Sequence, residues 1–352
     1  MEEFMQSIHV KRLIAVLLIF SSMLFVCATG IQEDTIEPYA GREGRITVYI
    51  SGPAAMISQL KKGFEADHGD VLDIVQMGCG PLRQRVWTEW ETGVINADVF
   101  WGSDPLIYEL LEEQGALEPF VPTELESIRP AYRTDRSYWY VNERYGVIIY
   151  SKDTVTDGDV PESFSDLLKP VFKNQVIHAD PAQSSTALAL IGGMWQLQGH
   201  CWDFHKGLVR NGLILTKKNS DVPSKIEEGE FSAGIAPHDA VIRLQMKAKK
   251  DGYPTPLEIA WPKEGALAIQ RPIAISRNPS RPIVNDELAK DLVDYLLSKP
   301  AQQITVKFGF VSVRSDIPKP EFLHADTAIY QIDWDDLKQY DLKIREEFNG
   351  LF

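Results

Sequence analysis

The groups best placed to do chemistry in this chain cluster in residues 178–197, HADPAQSSTALALIGGMWQL. Ser184, Ser185 and Thr186 follow Asp180-Pro181 and stand where an apolar helical run, 187–191, begins. Hydroxyl side chains at a helix start cap its unpaired backbone N–H groups. The same N–H groups, at the positive end of the helix dipole, form a ready site for an anion. A cap and a polar turn is the plainer use of these residues, and alone they do not decide between the two. A second concentration is Pro237-His238-Asp239, with Glu264 about one strand later. A sugar hydroxyl donates to a carboxylate and accepts from an imidazole N–H, so this set has the chemistry to read a polyol. Taken singly, His238 also reads as a turn residue, Asp239 as a helix cap before Ala240, and Glu264 as part of an exposed turn. Trp101, Trp195 and Trp261 offer aromatic faces to a sugar, although large aromatics are commonly core. Trp101, beside a predicted strand end, is the candidate retained, whereas Arg83 and Arg85 read as a solvated helix face.

These groups need elements to hold them. ITVYIS (46–51) reads as a buried strand, 54–66 as a helix, VLDIVQM (71–77) as a strand, 82–92 as a helix and ADVFWG (97–102) as a strand before a helix at 106–114. Strands alternating with helices through short links predict a parallel sheet with right-handed crossovers. Ligands of such sheets sit beyond the carboxyl ends of the strands, where Ser51, Gly78–Gly80 and Ser103-Asp104 fall. A long apolar strand, RYGVIIYSKDTV (144–155), opens a second alternating unit with a helix at 162–170, strands at 174–180 and 232–240, and a helix at 201–210. GALAIQRPIAIS, from 265, is another strand, followed by a helix at 286–298. The stretch 328–352 reads as helical and is expected to pack on the first lobe.

The 352 residues, with 44% hydrophobic and 24% charged side chains, suffice for two domains. A net charge of −14 argues against nucleic acid or an anionic membrane as partner, but leaves a small anionic ligand open. Lys11 and Arg12, an apolar run at 13–26, and Ala28, Thr29 and Gly30 have the pattern of a secretory signal over 1–30. A lipid anchor at Cys27 is disfavoured because Val26 is too large for a good lipobox. Cys79 and Cys201 read as two free, buried thiols, and no cysteine or histidine spacing predicts a structural metal.

The phrases INADVFWGSDP (95–105), GALEPFVP (115–122), GVIIYSKDTV (146–155), ADPAQSST (179–186), EEGEFSAGIAPHDAV (227–241), AWPKEGALAI (260–269) and DELAKDLVDYLLSKPAQQ (286–303) carry a resemblance in their order. The chain resembles ABC-transporter solute-binding proteins of the ferric, phosphonate and hexose-phosphate (AfuA-like) group of type II periplasmic binding proteins. The resemblance implies an α/β fold of two lobes, with 45–145 plus 267–352 in lobe 1 and 146–266 in lobe 2. It also implies a ligand cleft between the lobes that closes on binding. Ferric-binding members use an adjacent Tyr-Tyr pair, which this sequence lacks. His238, Asp239 and Glu264 are similar to the sugar-reading set of the hexose-phosphate members, and Ser51, Ser184, Ser185 and Thr186 to their phosphate-binding hydroxyls. Trp101 and Ser103 complete the expected ligand site.

The expectation is therefore a periplasmic, monomeric solute-binding protein that delivers a phosphorylated sugar to an ABC permease, with no catalysis, metal or cofactor. An organophosphonate or phosphoglycerate receptor is the nearest alternative, and a ferric-iron-binding protein a less favoured one. The reading from another class is a secreted phosphate-ester hydrolase with His238 as general acid; it lacks a nucleophile paired with a base.

Overall fold

The computed structural model describes residues 44–277 and 286–352; the expected signal segment, with Cys27, lies outside the described residues. The first half comprises β1 (Ile46–Ile50), α1 (Ala54–His68), β2 (Leu72–Gln76), α2 (Cys79–Glu91), β3 (Val99–Trp101) and α3 (Pro105–Glu113). Every residue of β1 is buried, as suits a largely apolar strand covered on both faces. It pairs in parallel with β2 and β3, as the alternating pattern predicts.

Two long strands, β4 (Tyr138–Ser151) and β9 (Ala266–Ile275), pair antiparallel and link this half to the next. The second half contains β5 (Val176–Ala179), α4 (Ser185–Leu197), α5 (Asp203–Arg210), β6 (Ile214–Thr216), α6 (Asp221–Glu227), β7 (Ala233–Pro237), α7 (His238–Asp251) and β8 (Leu257–Ala260). β5 is parallel to β6 and β7, while β9 runs antiparallel to β3 and β4 antiparallel to β7. One mixed sheet results, in the order β2-β1-β3-β9-β4-β7-β5-β6. The chain ends through α8 (Asp286–Leu297), α9 (Lys299–Lys307), β10 (Val311–Ser312), β11 (Ile329–Gln331) and α10 (Trp334–Asn349). Among the described residues no helix is long and apolar enough to cross a membrane.

Helices cover the sheet by their apolar stripes. Met56, Ile57, Leu60 and Phe64 of α1 pack with Leu292, Val293 and Leu296 of α8 on one side of the first half, and Leu82 and Val86 of α2 with Ile107 and Leu111 of α3 on the other. In the second half α4 is buried along almost its whole length.

Several elements differ from their sequence expectation. The strand expected over 232–240 stops at Pro237, and His238 starts α7 instead. Pro237 supplies the extended backbone that precedes a helix. The helix expected over 162–170 is two short 3-10 turns, Phe164–Leu168 and Pro170–Phe172, divided where Pro170 cannot continue the first. β4 begins at Tyr138 rather than 144, because Tyr138, Trp139 and Val141 are also buried in the sheet.

The terminal stretch is a short strand followed by α10, which packs on α3 of the first half as expected and also buries Leu337, Ile344 and Phe348 in a core made mostly of second-half residues, with Leu106 of α3. Gly192 and Gly193 make that packing possible: a Cβ on Gly192 would lie 2.2 Å from Leu337, and one on Gly193 2.9 Å from Ile332. Towards the first half α10 offers charge. Asp341 pairs with Arg83 at 2.6 Å and Lys338 with Glu113 at 2.7 Å.

Candidate functional site

Strands β4 and β9 bring Asn142 and Arg271 directly opposite each other, two residues from Arg144. Arg271 is only 1% exposed. Its Nε donates to Ser103 Oγ at 2.7 Å, one Nη to Asn142 Oδ1 at 3.2 Å and the other to the carbonyl oxygen of Ser51. The guanidinium lies between the rings of Trp101 and Phe310, 4.6 and 4.7 Å from their centroids. All of these partners are neutral. Burial, reinforced by neighbouring Arg144, lowers its pKa to about 9.

Arg144 reaches into the second half. It donates to Thr186 Oγ1 at 2.6 Å and lies 3.8 Å from Asp239, which also pairs with Arg243. Burial alone would raise the Asp239 carboxyl. Arg243, Arg144 and His238 outweigh it and hold the carboxyl down to about 2. Two guanidinium groups thus pair with the Asp239 carboxylate and a third, that of Arg271, feels it at longer range, a surplus of two positive charges in a largely buried cluster. Beside it, Arg83 and Arg345 are balanced by Asp104 and Asp341.

Two helix starts face each other across this cluster. Cys79 opens α2, and its sulfur lies within hydrogen-bond distance of Ser51 Oγ, at 3.3 Å. Ser184 caps α4 by accepting from the Ala187 N–H at 3.2 Å, and its hydroxyl also accepts from Asn219 at 2.7 Å. Ser185, 3% exposed, makes no side-chain hydrogen bond among the described residues. The halves touch here: a Cβ on Gly80 would lie 2.6 Å from the carbonyl oxygen of Gln183. A cavity of about 700 Å³ adjoins the contact, lined in part by Gly80, Trp87, Leu106, Ser184, Ser185 and Leu342. That volume suits a small-molecule ligand.

Of the residues singled out from sequence, Ser51, Ser103, Ser184, Ser185, Thr186 and Asp239 come together here. The others stand apart or are already occupied. His238 Nδ1 accepts from the Tyr145 N–H at 2.9 Å, and Nε2–H donates to the Gly309 carbonyl at 2.8 Å, so both ring nitrogens are committed to backbone. The ring is packed among Tyr145, Trp261 and Phe322, and burial holds it below its ordinary pKa.

Glu264 accepts from Ser163 Oγ at 2.9 Å and the Phe164 N–H at 2.7 Å, capping a 3-10 turn. Trp101 is fully buried, with its face taken by Arg271. Trp195 is likewise core. Arg83 is not solvated but pairs with Asp104 and Asp341, and Arg85 stacks over Tyr49. Cys79 and Cys201 are free thiols, each only half-buried.

Sequence reasoning passed over Asn142, Arg144, Arg243 and Arg271. Two of them left a signal. Arg144 and Arg271 are charges inside long apolar strands, where an unpaired cation is costly unless a ligand or partner answers it.

Residues 95–340 match the family of bacterial extracellular solute-binding proteins, and the chain belongs to that family. Its members bind solutes for ABC transporters from outside the cytoplasm. The chain is 23% identical over 319 residues to a probable ABC transporter periplasmic-binding protein of Sinorhizobium fredii, covering 86% of this chain and 82% of that one. It shares the two-lobed fold of iron-bound HitA from Pseudomonas aeruginosa, with a TM-score of 0.74 and 19% identity, over 86% of this chain and 99% of that one. AfuA from Actinobacillus pleuropneumoniae with fructose-6-phosphate bound has a TM-score of 0.73 and 22% identity, over 88% of this chain and 98% of that one.

Proposed function

We propose that this protein captures a small phosphorylated sugar, a hexose phosphate, between its two lobes and delivers it to an ABC permease. It would act in the periplasm as a monomer, released there by the signal at 1–30, and would catalyse nothing. The observation that carries the proposal is the charge surplus around Arg144 and Arg271, for which Asp239 is the one ion-paired carboxylate among the described residues. A phosphate monoester dianion matches that surplus. It would accept hydrogen bonds from the guanidinium groups and the hydroxyls of Ser51, Ser103 and Thr186, between the starts of α2 and α4. The cavity lined in part by Trp87 and Ser185 meets this cluster only at the start of α4, none of Arg144, Asp239 or Arg271 being in its lining, and has the volume for the sugar.

The same cluster suits an organophosphonate or a phosphoglycerate, which would fill less of the cavity. Ferric iron fits it poorly, because the guanidinium groups repel a trivalent cation. A hydrolase reading loses its general acid, since His238 has both nitrogens engaged by backbone.

Thermal denaturation of the ligand-stripped protein with glucose-6-phosphate, glucose, inorganic phosphate, aminoethylphosphonate or ferric citrate tests this. Ligand that binds the folded state alone raises the melting temperature. Stabilisation by the sugar phosphate beyond inorganic phosphate, with none by glucose, is expected. Stabilisation by ferric citrate alone would contradict it.

A further inference from the structure

We propose that Cys79 acts as an internal counter-ion of the anion site: its thiolate balances part of the positive charge in the unliganded protein, and an arriving dianion drives the sulfur to take up a proton. The inference rests on the anion-site reading above.

The thiol stands at the first position of α2, a 13-residue helix, where the helix dipole and free N–H groups favour a thiolate. Ser51 Oγ lies 3.3 Å from the sulfur. Thr186 approaches from α4, and Arg144 and Arg271 act on the sulfur from β4 and β9. Burial alone would raise the thiol. Arg144, the hydrogen bonds with Ser51 and Thr186, and Arg271 outweigh it and hold the thiol below its ordinary value.

The other titratable groups around the sulfur leave it this role. Asp239, from α7, is held by Arg243 and Arg144. Asp104 is held by Arg83 of α2. Tyr108, from α3, is kept protonated by burial. A second observation marks the same cluster as a place for an anion: Asn142, fully buried, holds Arg271 through Oδ1, while its Nδ2 makes no hydrogen bond among the described residues.

The charges then balance in both states. Against a surplus of two positive charges, a thiolate leaves one. A bound dianion cancels both, and a thiolate kept beside it would be a net excess negative charge. The sulfur therefore takes a proton from solvent, returning from thiolate to thiol with no other bond made or broken.

Two measurements on the wild type and Cys79→Ser test this. The thiolate absorbs near 240 nm. The difference between the two unliganded proteins should titrate below the 8.5 of a free thiol. Calorimetric titration with glucose-6-phosphate at pH 7.5, in buffers of different ionisation enthalpy, should show proton uptake on binding in the wild type and none in Cys79→Ser. A thiol titrating at or above 8.5, or equal proton uptake in both proteins, would overturn the proposal. If the wild type binds neither glucose-6-phosphate nor inorganic phosphate, the anion-site reading fails, and proton uptake with it. The absorbance titration reports the charge of the unliganded sulfur separately.

Discussion

Replacing Arg271 by Met separates a ligand-binding arginine from a structural one, because the two roles move stability and affinity differently. Holding this guanidinium charged in the folded protein is unfavourable. Its pKa falls from 12.5 to about 9, which corresponds to about 5 kcal/mol at neutral pH. Arg271→Met removes that cost and leaves an apolar side chain between Trp101 and Phe310. It also removes three hydrogen bonds, to Ser103, Asn142 and the Ser51 carbonyl. Each acceptor left unpaired costs about 1–3 kcal/mol. The two effects partly offset each other, so the unliganded variant should unfold between about 2 kcal/mol above and about 4 kcal/mol below the wild type. Affinity for glucose-6-phosphate should instead fall about 100- to 1,000-fold, the usual effect of truncating one partner of a buried, hydrogen-bonded charge pair. Thermal denaturation without ligand and calorimetric titration with it measure the two quantities. A variant that melts more than about ten degrees lower, yet binds the sugar phosphate normally once folded, would refute the assignment and make Arg271 a structural residue.

Gly80→Ala places a Cβ 2.6 Å from the Gln183 carbonyl oxygen, where the halves meet. Overpacking there should cost about 1–3 kcal/mol of ligand affinity, with liganded samples less compact in solution scattering than the wild type; equal affinity and compaction would show that this contact does not limit closure. Glu264→Gln weakens the cap on the 3-10 turn at Phe164 and should cost about 1 kcal/mol of stability while leaving sugar-phosphate affinity unchanged. A large loss of affinity would restore Glu264 to the sugar-reading set.

Buried His178 and His205 have their pKa values lowered from 6.5 to about 4 and about 3, in each case chiefly by burial. The unfolded chain therefore binds more protons than the folded one below pH 6.5, so stability falls as the pH drops. Between pH 6.5 and 5 each should remove about 2 kcal/mol. Urea denaturation at the two pH values should show this loss halved in His205→Phe; an unchanged loss would exclude His205 as a source.

The strand–helix alternation was legible because each buried strand and each amphipathic helix repeats its own period in the sequence. The anion site was legible only where it coincides with turn chemistry. Ser51, Ser103 and the Ser184–Thr186 run follow strand ends, and the sheet's topology gathers such ends together. Asn142, Arg144 and Arg271 were harder to see because they lie inside strands and meet only through the pairing of β4 with β9, 129 residues apart at Asn142 and Arg271. His238 and Glu264 show the converse. Their residue types suit a polyol, but a backbone N–H and a backbone carbonyl take both ring nitrogens of His238, and a turn's N–H takes Oε1 of Glu264, whose Oε2 is left without a hydrogen bond among the described residues. α10 packs on the first half as expected, but its further packing on the second was hidden for a related reason. Its charged face meets the first half, but its apolar face fits the space left by Gly192 and Gly193 in the second.

The most direct test of a phosphorylated-sugar receptor is calorimetric titration of the ligand-stripped protein with glucose-6-phosphate and, separately, with glucose. Micromolar binding of the phosphate ester corresponds to about −8 kcal/mol, within reach of one charge-neutralising anion site. Such binding, with no heat from glucose, is the expected result. Glucose binding as tightly as its phosphate would contradict the account, since the arginine cluster would then contribute nothing to recognition.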